Sequence, residues 1–137
     1  MLSVENELSE VGLTQRLKWE SCLLSIMIEK YDFYCEEALS GKTDIVKVFE
    51  SDNVLAFHHT KPSYSTHIVI ISKKHILDLP SVADDDFNIL IEILKVARDL
   101  SKTLDKSQGV RLITNVGKFQ DTPHIHFHLV EGEKLKY

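Results

Sequence analysis

Residues 124–130 read His-Ile-His-Phe-His-Leu-Val, and this strict alternation constrains the chain more than any other feature. A helix would scatter the three imidazoles around its circumference. A strand sends successive side chains to opposite faces, so it gathers His124, His126 and His128 on one side and Ile125, Phe127 and Leu129 on the other. The segment therefore calls for a sheet that buries one face and carries three imidazoles on the other. Same-side neighbours on a strand lie about 7 Å apart, too far to bond directly but near enough to surround one small group. Packing alone does not collect three imidazoles around a point, which makes this strand the first candidate for chemistry.

Two chemistries fit the residues. Imidazoles ligate zinc, copper and iron, and three of them can form an open catalytic metal site. Alternatively, a neutral imidazole nitrogen attacks phosphorus while its neighbours hold the phosphoryl oxygens. Histidine suits the second role because it titrates near neutrality. Asn115, at the end of the preceding β run, is positioned to offer an amide across an antiparallel ladder, and His67 opens another β run and adds a fourth imidazole. No acidic residue lies inside the triplet, which favours an anionic substrate over a cation.

The rest of the chain reads as one α+β domain. An apolar stripe over 13–31 predicts an N-terminal helix, and a short helical stretch over 33–40 stops at Gly41. Ile45–Phe49, Val54–His58 and His67–Ile71 read as strands, with Ser51-Asp52-Asn53 as the turn between the first two. Residues 81–104 form the main helix, opened by Pro80 and Ser81, with Phe87, Leu90, Ile91, Leu94, Ala97 and Leu104 as its apolar stripe. Val110–Thr114 and His124–Val130 are the last strands. The order predicts a mainly antiparallel five-stranded sheet with helices on one face.

Composition sets outer limits. The 137 residues suffice for one core, and a formal charge of -5 disfavours broad binding to nucleic-acid backbones. No apolar run approaches the roughly 20 residues that span a bilayer. The acidic start MLSVENELSE is unlike a secretory signal, so the expected location is cytoplasmic. Cys22 and Cys35 read as reduced thiols, too widely spaced for a CxxC pair.

HIHFHLV resembles the signature of the histidine-triad (HIT) superfamily. The similarity extends through VFESDNVLAFHHTKPSYSTHIVIISKKHI, the helix VADDDFNILIEILKVARDL, and LITNVG, where Asn115 matches the family's asparagine. It implies an N-terminal helical extension over 1–32 and a HIT-like domain over 33–137. It further implies cleavage of a P–N or P–O bond to a nucleoside monophosphate, through a covalent nucleotidyl-histidine on His126. His124 and His128 would orient His126 and contact the phosphate or leaving group, with His67 completing the network. Asn115, Gln120 and Thr122 would contact phosphate or ribose, and Phe57, His58 and His59 would wall the nucleoside pocket. A purine nucleotide substrate, a homodimer, and catalysis without metal or other cofactor complete the expectation. No nucleic-acid or membrane partner is expected.

This chain also departs from the family pattern. His59 stands where an aspartate grips the ribose, and Phe119-Gln120-Asp121 replaces a small residue, Gln and a hydroxyl. The CxxC pair of zinc-bearing bacterial members is missing around Phe33-Tyr34-Cys35-Glu36, so no structural zinc is expected there. Two other readings stay open: a nucleotide-binding regulatory protein weakened in catalysis by the altered loop, and a metalloenzyme using His124, His126 and His128 as ligands.

Overall fold

The computed structural model describes residues 31–136; the expected N-terminal helix and Cys22 lie outside them. Among the described residues, β1 (Lys47–Glu50), β2 (Val54–His58), β3 (Tyr64–Ser72), β4 (Val110–Thr114) and β5 (His126–Lys134) form one sheet. The strand order is β1-β2-β3-β5-β4, antiparallel at every step. The expected α+β architecture with one long helix is therefore present. β5 lies between β3 and β4, so His128 is flanked by Val69 on one side and Ile113 on the other.

Alternation along the strands makes two cores rather than one. Val54, Ala56, Ile68, Ile70, Ile125, Phe127 and Leu129 pack with Ile89, Ile93, Val96 and Ala97 of the helix α1 (Phe87–Ser101). Leu55, Phe57, Val69 and Ile71 face the other way and pack with Tyr34 and Ala38. A strand buried on both faces reads as a continuous apolar run, as in the Val54–Phe57 and Ile68–Ile71 segments. The expectation of cover on one face alone is corrected: a short π-helical turn, Tyr34–Ala38, lies over the second face. Gly41, at φ 80°, follows this turn in the left-handed region where a side chain is disfavoured.

Several element boundaries differ from the sequence reading. The main helix begins at Phe87, because Val82 and Ala83 are extended and cut off the 3-10 turn Leu79–Ser81, while a second 3-10 turn, Asp84–Asp86, leads directly into it. Its buried stripe is Ile89, Ile93, Val96 and Ala97, while Phe87, Ile91 and Leu94 are exposed. Both stripes obey the helical period, and periodicity does not say which one meets the sheet. β5 begins at His126, because His124 is held outside the ladder by a hydrogen bond from its N–H to the Thr122 carbonyl. The β1–β2 turn matches its expected residues and is tied to α1, where Ser51 and Asn53 donate to the Glu92 carboxylate.

Candidate active site

The alternation at 124–130 works as expected where it meets the sheet. Ile125, Phe127 and Leu129 enter the core beneath α1, while His126 and His128 line a cavity of about 390 Å³ on the opposite face. Phe33, Tyr34, Phe57, His59, Thr60, Lys61, Asp121 and Thr122 complete its wall with Val69.

Hydrogen-bond polarity assigns each ring its proton. Nδ1 of His126 lies 2.7 Å from the His124 carbonyl oxygen, which only accepts. Nδ1 must therefore donate, and neutral His126 keeps an unprotonated Nε2 on a ring that lines the cavity. A second chain runs the other way. The Ser63 N–H donates to Nδ1 of His67 at 3.0 Å, so His67 carries its proton on Nε2 and donates to Nδ1 of His128 at 2.8 Å. His128 is left with an N–H at Nε2. One cavity ring thus has a free lone pair and its neighbour, 4.9 Å away between centroids, has a donor.

Burial keeps these rings neutral. It pulls His126 below the ordinary imidazole range, an effect strengthened by His124 and opposed by the backbone hydrogen bond and by Asp121. Burial, followed by His126, His67 and His59, brings His128 down to about 3. Burial and His59 bring His67 down to about 4. A buried neutral imidazole is the nucleophilic form.

The other expected residues divide. Phe57, His59 and Thr122 line the cavity, whereas His58 is exposed and does not. Gln120 is buried with its amide donating to the Leu77 carbonyl at 2.7 Å, and it lies outside the cavity wall. Asn115 is half-buried one residue beyond Thr114, the β4 partner of Phe127, and also lies outside the wall. His124 is fully buried and acts on His126 through its main chain. Its Nε2 faces the Ser72 carbonyl at 2.7 Å, and its Nδ1 faces Asp32 and Cys35. The triad nitrogens therefore do not converge as a metal-ligand set.

Sequence reading missed Tyr34, whose ring packs 5.0 Å from that of His126, and it missed Thr60 and Lys61. It also missed the surroundings of His124. Asp32 Oδ2, Cys35 Sγ, His75 Nδ1 and His124 Nδ1 lie within 4.8 Å of one another. Burial disfavours the charged form of Asp32, yet hydrogen bonds from His124, His75 and Cys35 outweigh it and hold the carboxyl far below its ordinary range.

Two clusters could be asked to hold a metal, and second-shell polarity separates them. At His59, His67 and His128 the nitrogens also fall within 4.8 Å. The Lys61 and Ser63 N–H groups, however, already occupy the lone pairs of His59 and His67, so both rings turn N–H groups toward the shared space. This set does not fit a cation. At Asp32, Cys35, His75 and His124 the arrangement differs: Nε2 of His124 donates to the Ser72 carbonyl, and Nδ1 faces Asp32 Oδ2. Asp32 and Cys35, three residues apart, meet His75 and His124 there.

Residues 40–135 match the HIT domain family. The chain belongs to it. A HIT-like protein of unassigned function from Chlamydia trachomatis is 32% identical over 102 residues, covering 73% of this chain and 92% of that protein. Among solved structures, a HIT family hydrolase from Legionella pneumophila superposes with a TM-score of 0.67 at 36% identity, covering 78% of this chain and 97% of the other. A histidine triad nucleotide-binding protein from Candida albicans gives 0.65 at 26% identity, covering 78% and 81%. Within this HIT domain His59 is directed to the cavity. Its ring stacks on His67 at 4.3 Å, and its Nδ1 accepts the Lys61 N–H, so it presents a donor where a carboxylate would present acceptors.

Proposed function

We propose that this HIT domain cleaves a P–N or P–O bond to a nucleoside monophosphate by way of a covalent nucleotidyl-histidine on His126. One observation carries the reading: the His124 carbonyl takes the Nδ1 proton of His126 and leaves Nε2 as a lone pair on the cavity wall. Nε2 attacks phosphorus, and the bond to the leaving group breaks with its electron pair going to the departing nitrogen or oxygen. The His128 N–H, aimed by His67 and Ser63, holds a phosphoryl oxygen as charge builds on it. Water then attacks the same phosphorus, the N–P pair returns to Nε2, and the water proton leaves to solvent. None of these steps calls on a metal.

The cavity has the volume of a small-molecule site, and Phe57 and Tyr34 supply apolar wall for a purine base. Asn115, Gln120 and His58 are assigned no direct contact in this reading.

The protein acts as a homodimer in the same proposal. β4 is an outer strand of the sheet, and Leu112 on it is exposed together with Ile91 and Leu94 of α1. A second copy covers this apolar strip and satisfies the strand edge.

The test is trapping. An adenylyl or guanylyl phosphoramidate mixed with the enzyme and quenched in alkali leaves one nucleotidyl group on the peptide containing His126. His126→Ala leaves none and hydrolyses none. Turnover by His126→Ala at the parent rate overturns the reading. The second reading, nucleotide binding without turnover, draws on Asp121, whose carboxylate lines the same cavity and repels a phosphate. It predicts a nucleotide-induced rise in melting temperature with no adduct.

A further inference from the structure

Strand register sets out the floor of the cavity in rows. His128 of β5 pairs with Val69 of β3, and Val69 pairs with Phe57 of β2, so these three form one row across the sheet. His126, paired with Ile71, stands in the row on one side of it. On the other side stand His67 and His59, whose N–H donates to the His67 carbonyl at 2.8 Å. A nucleotide with its base against Phe57 and Tyr34 and its phosphorus between His126 and His128 must carry its sugar across Val69. His59, Thr60 and Lys61 border that crossing.

The border offers donors. The Lys61 N–H donates to Nδ1 of His59 at 2.9 Å, which puts the His59 proton on Nε2. The ring is clamped as well, stacked on His67 at 4.3 Å with 26° between the planes, and 6.0 Å from the His128 ring. Burial, followed by His126, pulls its titration below the ordinary imidazole range, against Asp121 and the Lys61 N–H. Positive charge on this side therefore comes from Lys61. Lys73 and Lys74 are held by Glu50 and Asp86, but among the described residues the Lys61 ammonium makes no ion pair. The carboxylate of the wall, Asp121, enters from the other loop, between β4 and β5.

Donors without acceptors suit one kind of partner. A ribose diol brings two O–H groups, and neither the His59 Nε2–H nor the Lys61 ammonium accepts from them. An ionised phosphate ester only accepts, and charge-assisted hydrogen bonds to it are the strong ones. The Thr60 hydroxyl serves either partner. The 5′- and 3′-phosphates of one sugar lie one backbone repeat apart, a span comparable to the 6.0 Å between the His59 and His128 rings.

We propose that His59, Thr60 and Lys61 form a second phosphate subsite, and that the substrate is a nucleotide phosphorylated on its ribose as well as at its reacting 5′-phosphorus. The ribose phosphate keeps all its bonds; it is a handle, and the chemistry stays at His126. Assignment to the ribose rests on the orientation of the nucleotide proposed above, whereas binding of a second phosphate does not rest on turnover.

The experiment measures the affinity of the full chain for adenosine 5′-monophosphate and for its 3′,5′- and 2′,5′-bisphosphates, by calorimetry at low and high salt. One bisphosphate binds at least about tenfold tighter than the monophosphate, and salt narrows the gap. The two isomers identify which ribose oxygen carries the group. Lys61→Ala, a change at an exposed side chain, erases the preference, and His59→Asp turns it toward the monophosphate. Equal affinities for all three nucleotides overturn the subsite, as does a preference that survives both substitutions. A preference instead for phosphoramidates with an acidic leaving group, lost in Lys61→Ala, also overturns it by placing Lys61 on the departing side. Tighter bisphosphate binding without an adduct on His126 upholds the subsite and sinks the proposed reaction. An adduct without bisphosphate preference does the reverse.

Discussion

The carbonyl oxygen of His124 lies 2.7 Å from Nδ1 of His126, so the first histidine of the triad sets the tautomer of the second through its main chain. This explains why His124 can be fully buried and still serve the site: its ring faces Ser72, Asp32 and Cys35, away from the cavity. The ring is an anchor for a carbonyl.

The opposite chain, Ser63 to His67 to His128, has a matching consequence. Replacing His67 with Leu removes the donor at His128 Nδ1 and frees His128 to take either tautomer. The expected loss is about 10–100-fold in kcat with KM nearly constant, since the His128 donor matters most as charge develops on the phosphoryl group. Equal losses in kcat and in substrate binding would contradict this assignment. Steady-state kinetics on one phosphoramidate decides it.

Acid should weaken the fold before it titrates any carboxylate of ordinary strength. His67 titrates at about 4 and His128 at about 3 in the folded chain, both lowered by burial. An unfolded histidine titrates near about 6.5. Between these values the unfolded chain binds more protons, so the stabilisation is complete above about pH 6.5 and declines as the pH falls toward 4 and then 3. Melting temperatures taken down this range should fall steadily, and His128→Gln should flatten the slope. An unaltered slope in that variant would show that these rings do not carry the effect.

Asp121 and His59 sit on the cavity wall with polarity opposite to what a ribonucleotide prefers. Asp121→Ser removes a like charge from the path of the phosphate and should raise kcat/KM by about 3–10-fold at low salt, with a smaller gain at high salt. His59→Asp supplies acceptors for ribose hydroxyls and should sharpen discrimination between ribo- and deoxyribonucleotides. Competition binding with matched nucleotide pairs measures the second effect, and equal affinities before and after would reject it.

The exposed strip of Ile91, Leu94 and Leu112 predicts self-association. Light scattering on the parent chain should return twice the chain mass. Leu94→Glu together with Leu112→Glu should return a single chain whose melting curve stays cooperative. A parent protein that is monomeric at high concentration would rule out the homodimer.

Strands were the most legible part of the fold. Val54–His58 and Val110–Thr114 have the bounds that their β-branched composition predicts, because a short apolar run between turn residues has few other outcomes. The helix was legible in kind but not in facing. Ile89-Ile93-Val96 and Phe87-Ile91-Leu94 follow the same period, and only contact with β2 and β3 selects the first. The second cover of the sheet was read as a short helix and not as a lid, because Tyr34 reaches Phe57 and His126 only once the chain has returned across the sheet.

The site shows the same division more sharply. Alternation at 124–130 is a property of one strand, so the sequence alone determined which face carries imidazoles and which the core, and pointed to His126 as the residue to test. Tertiary structure decided everything that depends on protons. The free nitrogen of His126 follows from the bend that keeps His124 out of the ladder, and the donor on His128 follows from a Ser63 amide four residues before His67. Asp32, Cys35 and His75 reach His124 across separations of 92, 89 and 49 positions, and no local pattern encodes that meeting. Side-chain direction comes from the two-residue period of the backbone. Tautomer and ligand geometry come from hydrogen-bond partners that only a folded chain brings together.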